Sequence, residues 1–164
     1  SLSIMNNFLD LKRISVKKEL LDFSLLLDDV KETMNIILKE KDIHLDIPKI
    51  EDEIIVKGDY DKLKQVLINL IKNSCEAKAT NIKLVVKNNS QYIDIKVIDD
   101  GVGISKNDLK KVGTIFYTTK VTGTGLGISL SNEIIKLHNG ELKYDSIINE
   151  GTTATLILPL EYIY

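Results

Sequence analysis

The chain has one cysteine, Cys75, no tryptophan, two prolines and few aromatic residues, 5% of its 164 positions. A single cysteine excludes an internal disulfide, so packing alone must hold the fold, and the thiol suits a reducing compartment such as the cytoplasm. With no base or metal-ligand partner near it in sequence, Cys75 reads as a small apolar filler rather than a nucleophile. Charge of one sign is also lacking: 22 basic side chains face 24 acidic ones, a formal net charge of -2. The lysines are scattered and the aromatics are not interleaved with them, which argues against a nucleic-acid surface. No apolar run approaches the roughly 20 residues that span a bilayer, and no signal peptide opens the sequence. What is present is ordinary for one globular domain: 43% hydrophobic and 28% charged residues, in a length that buries a single sizeable core.

Hydrophobic periodicity then divides the chain. Ile4, Phe8 and Leu11 recur at helical spacing, with Met5 and Leu9 widening the face. The stripe is already running at residue 1, so residues 1–14 read as the tail of an amphipathic helix that either lacks its partner helix, the favoured expectation, or folds back onto this domain. "KKELLDF" predicts a short strand, and Ser24 is the expected N-cap of a helix through about Lys41, with Leu27, Val30, Met34, Ile37 and Leu38 on one side. "IHLDI" and "EIIVKG" read as strands separated by Pro48. Asp59 caps a helix from Tyr60 to about Ala77, striped by Leu63, Val66, Leu67, Leu70 and Ile71. "NIKLVVKN" and "QYIDIKVID" predict a hairpin about an Asn-Asn-Ser turn. Asp99 to about Gly127 is loop-like, with a short helix capped by Ser105; long irregular stretches in compact domains usually bind something. Gly127 to His138 is a further helix stopped by Asn139-Gly140, and "ELKYDS" and "TTATLILPL" are closing strands.

Three constellations could carry chemistry. In "QVLINLIKNSCEA", about 100° of rotation per residue puts Asn69 and Asn73 about 40° apart, beside the apolar stripe. Asparagine is a poor helix former, so two of them one turn apart cost stability unless their amides gain partners. Those partners are either neighbouring loops or a hard cation such as magnesium bridging phosphates, which amide oxygens suit. In "VIDDGVGI" a strand delivers Asp99 and stops, while Gly101 and Gly103 let the backbone turn and lie close to something flat. Such a carboxylate can accept from an exocyclic amine such as adenine's; the octet also fits an ordinary aspartate-glycine turn. In "FYTTKVTGTGLGISL" glycine-freed amides lead into a helix N-terminus, an anion site to which Lys120 adds charge and Thr118, Thr119 and Thr124 add hydroxyls. The spacing of Gly123, Gly125 and Gly127 is not G-x-G-x-x-G, and the lysine precedes the glycines, so this is neither a dinucleotide fingerprint nor a Walker loop. A hinge alone stays open.

Taken in order, these segments resemble the nucleotide-binding domain of sensor histidine kinases, within the superfamily of gyrase, chaperone and mismatch-repair ATPases. Gln65 to Ala77 matches the family's N box, Asp99 to Ile104 its first glycine box, Phe116 to Lys120 its F-box region and Gly123 to Gly127 its second glycine box. "HNG" at His138 to Gly140 and "EGTTATLILP" resemble its closing elements, so the likeness covers roughly residues 15 to 160. "VGTIFYTTK" looks closest to sporulation-type kinases.

The resemblance implies a two-layer α/β sandwich, a mixed sheet with about three helices on one face and ATP under a mobile lid. It implies that Asp99 receives the adenine amine, that Gly101 and Gly103, with Ile104 closing that box, pass close to the base, and that Thr152 supports adenine through water. Asn73 would coordinate Mg2+ with Asn69 assisting, Lys72 or Lys120 would approach phosphate, and Gly123, Thr124, Gly125, Leu126 and Gly127 would close over the triphosphate beside Thr118 and Thr119. The implied activity is transfer of the γ-phosphoryl group to a histidine, with Asn69, Lys72 and Lys120 as the catalytic set. The implied partners are ATP, a histidine-bearing dimerisation domain of a homodimeric kinase and a response regulator, with any membrane anchor left to the full-length protein. Neither His44 nor His138 stands in the family's H-E/D-x-x-N/P motif, so the acceptor is expected upstream. Residues 1–14 would be the end of the second dimerisation helix and 15–164 the catalytic domain, able to bind ATP but not to phosphorylate itself. Gly113 and Ile115 depart from the usual phenylalanine and proline of the F-box region, and Asn139 replaces a glycine, which a left-handed asparagine tolerates. The related ATPases carry a glutamate where Asn69 stands; an asparagine cannot serve as that base. An ATP-binding module without transfer activity is the remaining alternative.

Overall fold

The strand signals resolve into two sheets in the computed structural model, which describes residues 14–112 and 126–161. A small antiparallel ribbon joins β1 (Glu19–Asp22) to β3 (Ile55–Gly58). The main sheet has the order β2-β4-β5-β7-β6, from β2 (His44–Asp46), β4 (Asn81–Asn88), β5 (Tyr92–Asp99), β6 (Glu141–Ile147) and β7 (Gly151–Pro159). Only β2 and β4 run parallel; the other pairs are antiparallel, which makes the sheet mixed. The helices are α1 (Phe23–Leu38), α2 (Tyr60–Glu76), the single turn α3 (Lys106–Leu109) and α4 (Leu126–Leu137). The amphipathic stripe read over residues 1–14 lies, up to residue 13, outside the described residues.

Period-2 alternation gives the main sheet one apolar face. Leu84 pairs with Val97, Ile95 with Leu156, and Leu142 with the same Leu156, so their side chains form one continuous surface. The opposite face carries Lys83, Lys96, Asp94, Lys143 and Asp145. The three long helices lie over the apolar face, and Phe23, Leu26, Leu27 and Met34 of α1, Leu63, Leu67 and Ile71 of α2 and Ile134 of α4 are fully buried there. The two-layer sandwich expected from the resemblance is the observed architecture.

Helix ends show which local signals prevailed. Asp59 caps α2 as read, accepting from Lys62 N at 3.2 Å. The cap of α1 is Asp22 rather than Ser24: Asp22 Oδ1 accepts from Ser24 N at 3.0 Å, from Ser24 Oγ at 2.7 Å and from Ile54 N at 3.2 Å. Both residues are good caps, worth about 1 kcal/mol each. The pairing of β1 with β3 holds Asp22 extended at the helix mouth and carries Ser24 into the buried first turn. The helix also stops at Leu38, short of Lys41, and Ile37, at the margin of its stripe, is 40% exposed instead of buried. At the end of α4 Asn139 adopts φ 58°, and Gly140 N reaches back to Ile135 O at 3.0 Å, the left-handed stop the sequence calls for.

Candidate functional site

The site is built where β5 ends, between the C-terminal half of α2 and the turn joining β6 to β7. Asp99 is the last residue of β5 and half buried. Its Oδ1 accepts from Gly101 N at 2.9 Å and from Thr152 N at 3.1 Å, and its Oδ2 accepts from the Ser74 hydroxyl at 2.6 Å. Three elements that share no local sequence therefore meet on one carboxylate: α2 through Ser74, the loop after β5 through Gly101, and β7 through Thr152.

The glycine box is stitched on both sides. Val102 N donates to Ala77 O at 2.9 Å, and Asn149 N donates to Val102 O at 2.8 Å. A Cβ on Gly101 would lie 2.6 Å from Ala77 O, so only glycine lets this loop lie against the end of α2. Gly103 has φ 75°, and a Cβ there would come within 2.2 Å of Ile147 O. Ile104 N donates to Ser146 Oγ at 2.7 Å, and that oxygen lies 2.8 Å from Thr152 Oγ1 and 2.9 Å from Gly151 O. Ser146 has a single proton; when Gly151 O takes it, the Thr152 hydroxyl donates to Ser146.

Asn69 and Asn73 lie half buried on α2, the helix that also carries Ser74, and Lys72 between them is exposed. The structure thus gathers Asp99, Gly101, Gly103, Ile104 and Thr152 and ties them to the asparagine helix. Leu126 and Gly127 form the start of α4. Thr118, Thr119, Lys120, Gly123, Thr124 and Gly125 lie outside the described residues, as do Gly113 and Ile115. Among the described residues no group of three or more His, Cys, Asp or Glu side chains could cage a metal. Magnesium fits this donor set in the way it commonly binds, through one or two protein oxygens plus phosphates and water.

Ser74 and Ser146 are absent from the sequence-derived site. Ser74 had a signal: it continues the stripe Leu67, Leu70, Ile71 at helical spacing, and a polar side chain on a core face needs a partner. Ser146 had none, because its role depends on the β6–β7 turn folding over the glycine box. Cys75 behaves as the filler expected, packed against the core with burial pushing its thiol up.

The two histidines are set apart by their surroundings. His44 is exposed on β2. His138 is 2% exposed, with Nδ1 2.7 Å from Ile134 O and Nε2 accepting from Asp59 N at 2.9 Å. These partners select the neutral ring with its proton on Nδ1, and burial holds its pKa below the ordinary histidine value. With both nitrogens engaged, His138 ties the end of α4 to the start of α2.

Known proteins share the family and the fold. Residues 58–162 match the family described as histidine kinase-, DNA gyrase B-, and HSP90-like ATPase. Sporulation kinase B of Bacillus subtilis is 35% identical over 162 residues, which cover 96% of this chain and 38% of that protein. Sensor protein kinase WalK of Staphylococcus aureus is 31% identical over 175 residues, covering 98% of this chain and 42% of that one. The chain therefore spans well under half the length of these curated relatives. Among solved structures, the catalytic domain of histidine kinase ThkA superposes with a TM-score of 0.75 at 26% identity, over 87% of this chain and 95% of that one. From the Asp99 network, the glycine box, the sandwich and these matches together, the chain belongs to the histidine kinase-, DNA gyrase B-, and HSP90-like ATPase family, on its sensor histidine kinase side.

Proposed function

We propose that this domain binds ATP with Mg2+ and transfers the γ-phosphoryl group to a histidine on a dimerisation domain outside residues 15–164, within a two-component signalling kinase. The observation that carries the reading is the Asp99 carboxylate, an acceptor-only group presented at a strand end and tied through Ser74 to the helix of Asn69 and Asn73. An acceptor at that point selects an exocyclic amine, as adenine offers, while Gly101 and Gly103, by letting the loop pack on Ala77 O and Ile147 O, hold its backbone beside Asp99 where a flat base would lie. Thr152 completes the base end. Asn73, assisted by Asn69, would hold Mg2+, whose charge offsets that of the phosphate oxygens. Lys72 or Lys120 adds a cation at the phosphates, and Gly123 to Gly127 close over them.

Phosphoryl transfer asks for positioning and charge neutralisation more than covalent help. The neutral imidazole of the acceptor attacks the γ-phosphorus, a P–N bond forms as the bridging P–O bond breaks, and ADP leaves. Asn69 is an amide and cannot activate water as a carboxylate would, so the isolated chain is expected to hydrolyse ATP slowly. His138 supplies no acceptor either, since both of its ring nitrogens are engaged within the fold. Cytoplasmic placement, a homodimeric parent protein and a response regulator as the next acceptor belong to the same reading. No described helix is long and apolar enough to cross a membrane.

The test mixes this chain with a separately produced dimerisation domain bearing the histidine, in the presence of γ-labelled ATP. Acid-labile label on the histidine domain is the expected result. ATP binding without label transfer would reduce the domain to a nucleotide-binding module, and robust multiple-turnover hydrolysis by the chain alone would place it with the water-activating ATPases.

A further inference from the structure

We infer that Ser74 is a positioning residue that sets the selectivity of the Asp99 carboxylate for a 6-amino purine over a 6-oxo purine. The inference rests on the reading that Asp99 meets the base, and adds which oxygen does so and what aims it. A carboxylate offers about four acceptor positions. Among the described residues three are taken: two on Oδ1, by Gly101 N and Thr152 N, and one on Oδ2, by Ser74 Oγ. Oδ1 is saturated by backbone groups that no side-chain change can remove. Oδ2 keeps one lone pair, and that lone pair is the acceptor presented to the base.

Ser74 decides where that lone pair points. Its hydroxyl lies 2.6 Å from Asp99 Oδ2 and 3.4 Å from Leu70 O, so the proton belongs to the carboxylate, as the shorter and charge-assisted bond. Ser74 is 4% exposed and sits on the core stripe of α2, which leaves its hydroxyl no solvent alternative. The two bonds on Oδ1 hold one end of the carboxylate; the bond on Oδ2 holds the other and fixes the plane. A 6-amino purine places an N–H donor on the open lone pair, whereas a 6-oxo purine places a second oxygen there and the two repel. Without the serine proton, the free end of the carboxylate can turn or take a water, and the discrimination weakens.

The experiment measures ATP and ITP binding by calorimetry to the chain and to Ser74→Ala, Asp99→Asn and the double variant, with thermal melts to establish folding. Alanine is a better helix former than serine and removes only the hydroxyl. Ser74→Cys, which keeps the shape with a slightly larger atom and a much weaker donor, is the second variant should the alanine protein melt early. Ser74→Ala is expected to weaken ATP about fivefold to tenfold, less than the loss of a charged hydrogen bond to the base itself because the serine only orients the acceptor, while ITP changes little. The ATP-to-ITP ratio therefore narrows, and Ser74→Ala has no added effect in the Asp99→Asn background. A loss of stability alone would lower both affinities together and leave the ratio in place. If Asp99→Asn collapses the ratio and both Ser74 variants keep it at the starting value, the inference fails while the Asp99 reading stands. If Asp99→Asn also leaves the ratio unchanged, Asp99 does not read the base, and both fall.

Discussion

Asp99 and Asp100 are neighbours of the same type at the end of one strand, yet they serve opposite sides of the sheet. Asp99 turns toward the helices, where Ser74, Gly101 and Thr152 converge on it from three elements. Asp100 turns to solvent, where Thr80 N, Thr80 Oγ1, Asn81 N and Asn81 Nδ2 bind it at 2.8 to 3.1 Å and staple the start of β4 to the end of β5. The outer carboxylate is the more heavily hydrogen-bonded of the two, and those bonds, led by the Asn81 side chain, hold its pKa well below the usual carboxylate range. What separates the candidate site's carboxylate from the scaffolding one is therefore which side of the sheet the side chain faces and whether an acceptor is left over, rather than how many bonds the group makes.

The sharpest way to break the inner side is Gly103→Ala. A Cβ at φ 75° and 2.2 Å from Ile147 O must push the glycine box off the β6–β7 turn. The expected cost is about 2 to 4 kcal/mol of stability with a matching loss of nucleotide affinity, read by denaturant titration and calorimetry. An alanine variant as stable as the parent would mean that the box is not stitched to that turn.

Asp99→Asn comes next. The amide oxygen can keep the Gly101 and Thr152 N–H groups and the amide nitrogen can donate to Ser74 Oγ, so the fold should survive. On the proposed reading, the acceptor offered to the base becomes a donor, and the bond with Ser74 reverses its direction. ATP affinity should fall by about 1 to 3 kcal/mol, the scale of a lost charged hydrogen bond. Unchanged affinity on folded protein would remove Asp99 from the site.

Asp100→Asn is the smallest effect and the control. ATP affinity should stay within twofold, about the scatter of replicate titrations and far below the tenfold of 1.4 kcal/mol. Its signature is in acid. Because the folded pKa lies below the ordinary 3.8, the carboxylate's stabilisation is present above that pH and lost as pH falls through the folded value. The variant's stability should therefore decline less steeply than the parent's below about pH 3.8, as followed by acid unfolding monitored by circular dichroism. An Asp100→Asn protein that loses ATP would erase the distinction between the two faces.

Local sequence made much of the fold legible. The stripe of α2 is continuous and correctly phased, the Asn-Asn-Ser turn closes the β4–β5 hairpin, and Asp59 and Asn139 stand at helix ends where their side-chain chemistry belongs. The N-terminus of α1 was less legible, because Asp22 and Ser24 are both competent caps and strand pairing chose between them. The candidate site was legible as a list of residue types: acceptor, glycines, asparagines. Their assembly was not, because it depends on contacts such as Ser74 with Asp99 and Ile104 with Ser146, which are 25 and 42 residues apart in the chain.

By itself, then, the sequence determined the elements, the order of the chemical groups and the family they resemble, since periodicity, caps and motif spacing act within a few residues. The tertiary structure alone decided the strand order β2-β4-β5-β7-β6, which face each aspartate took and which hydroxyl met which carboxylate. Burying one apolar sheet face under three helices forces distant polar groups together, and each must then find its partner inside that geometry.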